Sequence, residues 1–185
     1  MDRAVPTLII AVVLLGVFTL MFRSWRRRST RDSGIVAGYP APVGTETALA
    51  SARGYYVATT PRDTPLERLF IPGLAFRARA EITATDAGVT LDLTGTRPVF
   101  VPADAIERLT PATWAIDRVV ETDGLVLLGW RLAPTSDTDR ATEPGRSVDS
   151  YFRIIDPSDR ARLVDAIRSI AAEATGPADR NESEV

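Results

Sequence analysis

Nineteen consecutive uncharged residues, Ala4 to Phe22 (AVPTLIIAVVLLGVFTLMF), lie near the start of the chain, and five arginines follow within RSWRRRSTR, ending at Arg31. As a helix rising about 1.5 Å per residue, the run spans roughly 28 Å, close to the hydrocarbon thickness of a bilayer. No second apolar run of that length follows, so one crossing is expected. A secretory signal is the rival reading, but a signal carries positive charge ahead of its apolar core and small residues behind it. Here Asp2 offsets Arg3 and the far flank reads Phe22-Arg23-Ser24-Trp25-Arg26, which favours a retained anchor. Arginine-rich flanks stay cytoplasmic, so Arg23, Arg26, Arg27, Arg28 and Arg31 orient the rest of the chain to the inner side of the plasma membrane, with Trp25 at the water boundary. The cluster reads as a topology signal that meets membrane lipid, not as a nucleic-acid site.

Composition limits the chemistry. All 22 basic residues are Arg, and Lys, His, Cys and Gln are absent. Without Cys there is no disulfide or thiolate chemistry; without His the usual general base and zinc ligand are missing. Catalytic triads and zinc sites are therefore excluded, and no cofactor is expected. Asp32 to Val185 carries a net charge of −7, which disfavours nucleic acid as a partner.

The organisation expected is an anchor at 1–22, a basic flank and flexible tether at 23–53, a folded domain at 54–174 and a polar, disordered tail at 175–185. The tether is rich in Gly, Ala, Thr and Pro; its Tyr39-Pro40-Ala41-Pro42 also has polyproline character. In the domain, Tyr55–Thr60 reads as a first strand and Leu66–Phe70 as one helical turn. Phe76, Ala78, Ala80 and Ile82 alternate with Arg77, Arg79, Glu81 and Thr83, the mark of a half-buried strand. Asp86-Ala87-Gly88 turns the chain into Val89–Leu93, completing a hairpin. Val99–Val101, one or two strands in Ile106–Val120, Leu125–Leu132 and Ser150–Ile155 follow. Asp156 stands at an N-cap with Pro157 at the first helical position. Leu163, Val164, Ile167, Ile170, Ala171 and Ala174 then form one apolar stripe suited to packing across a sheet.

About seven strands closed by a C-terminal helix predict a mainly β fold, an N-terminal transmembrane helix plus a split β-barrel capped by an α-helix. GYYVATT, LFIPGLAFRARAEITATDAGVTLDL, RPVFVPADAIERL and YFRIIDPSDRARLVDAI resemble an actinobacterial single-pass membrane protein with a bacterial pleckstrin-homology-like (PH-like) domain. The resemblance implies a non-catalytic module. Gene neighbourhood in that family also suggests a pyrimidine-pathway enzyme as partner.

Phosphoinositide-binding PH domains use basic residues around the loop joining their first two strands. The corresponding loop, Thr60 to Arg68, balances two arginines with two acids. Arg62, Arg77 and Arg79 form a candidate ligand face, against which stands the reading of a solvated outer surface. Asp137, Asp139 and Glu143 offer oxygen ligands but lack the spacing of an EF-hand loop, so no metal site is expected. Trp114 and Trp130 read as core unless exposed. Glu67, Glu81, Asp92 and Asp104 present no spacing that singles out an acid/base pair. Two functions follow. The first is a membrane-tethered module that binds a protein or peptide, through an exposed sheet edge or an apolar groove beside the last helix. The alternative is an accessory subunit of a membrane or transport complex acting through the transmembrane helix.

Overall fold

The computed structural model describes residues 4–32, 36–42, 44, 46–62, 64, 66–115, 118–119, 124–134 and 145–175, and divides into two compact units, Met1–Gly34 and Ile35–Val185. The first unit is helix α1, Ala4–Asp32. It continues past the apolar run through the arginine flank, and its Pro6–Arg27 segment is long and apolar enough to cross a membrane. Large apolar side chains, Leu8 to Phe22, are exposed around its whole circumference. A helix without a polar face requires an apolar solvent or a partner. The Thr19 hydroxyl donates to the Leu15 carbonyl at 2.7 Å, so this polar group is satisfied within the helix. Arg23, Trp25, Arg26 and Arg27 are exposed on α1, and the Trp25 ring lies 5.9 Å from that of Phe22. Arg28 and Arg31 belong to the same helix.

The second unit comprises β1 (Ala50–Pro61), β2 (Ala78–Thr85), β3 (Gly88–Leu93), β4 (Val99–Pro102), β5 (Ile106–Ala112), β6 (Trp114–Ala115), β7 (Arg118–Val119), β8 (Leu125–Arg131), β9 (Ser147–Ile154) and helix α2 (Pro157–Thr175). Seven strands form one antiparallel sheet in the order β4-β3-β2-β1-β9-β8-β5; β6 and β7 pair separately. The long first strand joins the two halves, pairing with β2 on one side and β9 on the other, and a bulge between Tyr56 and Ala58 shifts its register. Such a bulge bends a strand and increases its twist. The sheet remains open between β4 and β5, so it does not close into a barrel; a 3-10 turn, Ala103–Ala105, links these two strands.

One face of the sheet and α2 enclose the main core. Leu163, Ile167 and Ile170 are buried at the spacing of the expected stripe, together with Ile82, Leu91, Leu128, Trp130 and Phe152. The helix begins as expected: Asp156 Oδ1 accepts hydrogen bonds from the N–H groups of Ser158 and Asp159 at 2.8 and 2.9 Å. Trp130 is fully buried, and its indole N–H donates to Ser150 Oγ at 3.0 Å. Ser150 Oγ is 2.7 Å from Thr59 Oγ1, which is 2.9 Å from the Tyr56 hydroxyl. That hydroxyl also donates to the Leu74 carbonyl at 2.6 Å. A buried polar chain satisfied in this way fixes the packing of the strands that carry it. Burial, the largest cause, holds the Tyr56 hydroxyl protonated far above the usual tyrosine range.

Two local expectations differ from the structure. Leu66–Phe70 forms turns and no helix: the Leu69 N–H is bonded to the Thr59 carbonyl at 2.9 Å, and Leu69, Ile71 and Leu74 enter the core. The alternation places Phe76 on the buried face of the strand with Ala78, Ala80 and Ile82, but β2 begins at Ala78 and Phe76 is 69% exposed. The alternation therefore starts two residues later than it reads.

Candidate functional site

Three surfaces of the domain bring polar and apolar groups together. The first is a groove of about 340 Å³ between α2 and the β5–β8 hairpin. Leu109, Pro111, Leu125 and Val126 line it from the sheet, with Ala161 and Val164 from the helix. Arg160, Asp165 and Arg168 bring charge to the same groove. Its floor is continuous with the core, since Val126 is buried there and Leu109 and Val164 pack against it.

Both edges of the sheet are obstructed. At β4, Tyr39 forms a backbone bridge to Phe100, with its N–H donating to the Phe100 carbonyl at 2.9 Å and its hydroxyl donating to the Leu132 carbonyl at 3.2 Å. This residue lies in the stretch expected as a tether. At β5, the register shifts at Glu107, and Pro111 has no N–H to offer.

The second surface is an ionic row on the far side of the sheet. Register aligns Arg108 with Gly129 and Gly129 with Asp149, so these residues lie in one line across β5, β8 and β9. Ile106, two residues before Arg108, is in the core. Strict alternation would send Arg108 inward as well; the bulge at Glu107 turns it to the opposite face. There its guanidinium binds the Asp149 carboxylate, through Nε to Oδ1 at 3.1 Å and through Nη2 to Oδ2. Asp149 is only 1% exposed, so a partner is obligatory. Gly129 makes the pair feasible. A Cβ there would overlap Arg108 Cγ and stand 2.9 Å from Asp149 Oδ1. Glu107 binds Arg62, accepts from Ser147 Oγ at 3.1 Å and lies 3.9 Å from Arg131 Nε.

Arg62 therefore belongs to this network, with its Nε 3.9 Å from Asp149 Oδ1. Arg79 belongs to the third surface, an open depression of about 460 Å³ lined by Arg53, Tyr55, Arg79, Glu81, Asp92 and Ile155. Tyr55 is the register partner of both Arg79 and Arg153. Arg53 pairs with Glu81 at 3.5 Å, and Glu81 stands directly opposite Asp92. Arg77 is exposed just ahead of β2. The three arginines singled out in the sequence thus do not converge: Arg62 and Arg79 lie on two different surfaces, and Arg77 is not among the residues that line the depression. In the third, the nearby acids balance the arginines that line it.

Glu81 and Asp92 are the two neighbours among the four carboxylates considered for acid/base work, and both face solvent beside Arg53. Among the described residues no group of three or more metal-ligating side chains comes together. Asp137, Asp139 and Glu143 lie outside the described residues, as does the side chain of Trp114. No local pattern in the sequence signals the Arg108–Asp149 pair; its trace is a glycine inside a mostly apolar strand, Gly129.

An open antiparallel sheet of seven strands with a C-terminal helix across one face, mainly β and with no assembled catalytic group among the described residues, defines a PH-like domain. A family model described as bacterial PH domain-like matches residues 34–168, and the chain belongs to that generally non-enzymatic family. No curated protein matches the chain.

Proposed function

We propose that this protein is a membrane-tethered module without catalysis, held by α1 at the inner face of the plasma membrane, and that its cytoplasmic PH-like domain holds a segment of a protein partner. The groove between β5 and α2 carries this reading: it is apolar along its floor and flanked by charge. A groove is favoured over strand addition because Tyr39 occupies the β4 edge, while the bulge and Pro111 interrupt that of β5. Tethering raises the effective concentration of such a module at the membrane without any new contact. A pyrimidine-pathway enzyme is the first partner to test.

The test is proximity labelling in the native cell with the labelling enzyme fused after Val185. Three chains are compared: intact, Val164→Arg, and one with α1 exchanged for an unrelated anchor. Cytoplasmic proteins that lose labelling with Val164→Arg but keep it with the exchanged anchor support the proposal. Labelling indifferent to Val164→Arg and lost on anchor exchange assigns the function to the helix, as in an accessory subunit. Labelling confined to exported proteins reverses the orientation.

A further inference from the structure

We propose that the edge of β4 is a strand-acceptor site, filled in the intact chain by the chain's own residues 36–42 acting as a ligand in cis. What the site takes in trans is an extended protein segment with a small residue, a glycine and a tyrosine in succession. The inference goes beyond the β5–α2 groove and does not depend on it.

The occupant shows what the edge selects. Ala37 and Tyr39 both pack against the core, at the alternate spacing that gives an extended segment one buried face. Between them, Gly38 lies so close to β4 that a Cβ would stand 3.0 Å from the Phe100 nitrogen and from Val99 Cγ1. A larger residue there would push the segment off the strand. Tyr39 supplies the directed bonds: its N–H donates to the Phe100 carbonyl at 2.9 Å and its hydroxyl to the Leu132 carbonyl at 3.2 Å. Leu132 follows the last residue of β8, so Tyr39 ties the β4 edge to a strand of the other half of the sheet. The Tyr39 N–H faces β4, so Pro40, next in alternation, has its missing N–H on the outward side, where an edge accepts proline.

The hold is local. Tyr39 and Phe100 form an isolated bridge and not a ladder, and Val36, Pro40, Ala41 and Pro42 are exposed. A contact of this size is kept by attachment. Residues 36–42 are joined to β1 through residues 43–49, and a short link supplies about millimolar effective concentration. Because the site is filled in cis, its Kd for the same segment in trans lies below about 1 mM. A partner gains the edge only when its own segment is presented above the concentration that the link supplies.

The probe is a fluorescent peptide of residues 36–42, titrated up to about 1 mM against the full chain in lipid nanodiscs. The intact chain is compared with two released chains, Gly38→Val/Tyr39→Ala and Tyr39→Ala alone, whose fold is checked by amide-exchange protection of β1 and α2. The proposal expects saturable binding to the released chains, about tenfold weaker binding to the intact one, and loss of binding when the peptide itself carries Tyr39→Ala. Equal binding to intact and released chains, binding indifferent to that change in the peptide, or no binding to a folded released chain overturns it. Unfolding of both released chains also overturns it, because residues 36–42 would then be part of the fold and not a separable ligand. Labelling lost with Val164→Arg reads the groove alone, so the two proposals stand or fall separately.

Discussion

Gly129→Ala reverses the sign that strand preference alone gives. Glycine inside a strand is ordinarily worse than alanine by about 0.5–1 kcal/mol, so the substitution would be expected to stabilise. In this sheet the added Cβ overlaps Arg108 Cγ and approaches Arg108 Nε to 3.0 Å and Asp149 Oδ1 to 2.9 Å. Arg108 has a partly exposed side chain and can swing away, but Asp149 is buried and cannot follow. Leaving a buried charge without its partner costs about 3–5 kcal/mol. Recovered strand preference, and the water that reaches the Arg108 side, reduce the net to about 2–3 kcal/mol of destabilisation. The assay is urea unfolding of residues 34–175, followed by tryptophan fluorescence, to which Trp114 and the core Trp130 contribute. With a slope of about 2 kcal/mol per molar, the midpoint should fall by about 1–1.5 M. In an Arg108→Ala/Asp149→Ala host the same substitution should be neutral or slightly stabilising. A midpoint that is unchanged or raised in the otherwise native domain, or an equal loss in both hosts, would refute the reasoning.

Alkaline pH tests the buried hydroxyls. Burial raises Tyr56 and, more modestly, Tyr151 above the free-chain value of about 10. The folded state therefore keeps protons that the unfolded chain releases: stability should be flat below about pH 10 and fall as pH rises beyond it. In the pH series, Tyr56→Phe should lose stability at neutral pH through the missing bond to Leu74 but show a shallower alkaline decline. Asp156→Ala removes the acceptor for two helix N–H groups and should cost about 1 kcal/mol in the same unfolding assay, with circular dichroism showing a frayed start to α2. Phe76→Ser, at an exposed position, should change the unfolding free energy by less than about 0.5 kcal/mol; a large loss would return that ring to the core.

Local periodicity made the strands and α2 legible. The alternation from Ala78 and the Asp156-Pro157 start follow from side-chain geometry within a few residues, and both are present. What remained hidden depends on register. Arg108, Gly129 and Asp149 are each about twenty residues apart, and only the pairing of β5 with β8 and β8 with β9 puts them in line. A single bulge then decides which face Arg108 takes, and no composition rule places a bulge. The division of Arg62 from Arg79 has the same origin, since sequence proximity says nothing of position along a strand. Leu69 reads as part of a helical turn, and Ile71 and Leu74 fall in no periodic segment, because the burial of all three comes from tertiary contacts and not from a period. The groove was more accessible to sequence reasoning, because the apolar stripe of α2 extends to Val164, at the margin of the buried face.

If α1 tethers the chain to a bilayer, as proposed above, the obstructed sheet edges matter for how neighbouring copies meet. Copies attached to one bilayer meet in two dimensions, at local densities far above those of the same number dispersed in the cell. Encounters between unpaired strands would then be frequent, and edge-to-edge pairing is self-templating. Tyr39 across β4 and the interrupted edge of β5 leave few consecutive backbone groups for a neighbouring copy to match. With α1 in a bilayer, the domain can crowd without polymerising.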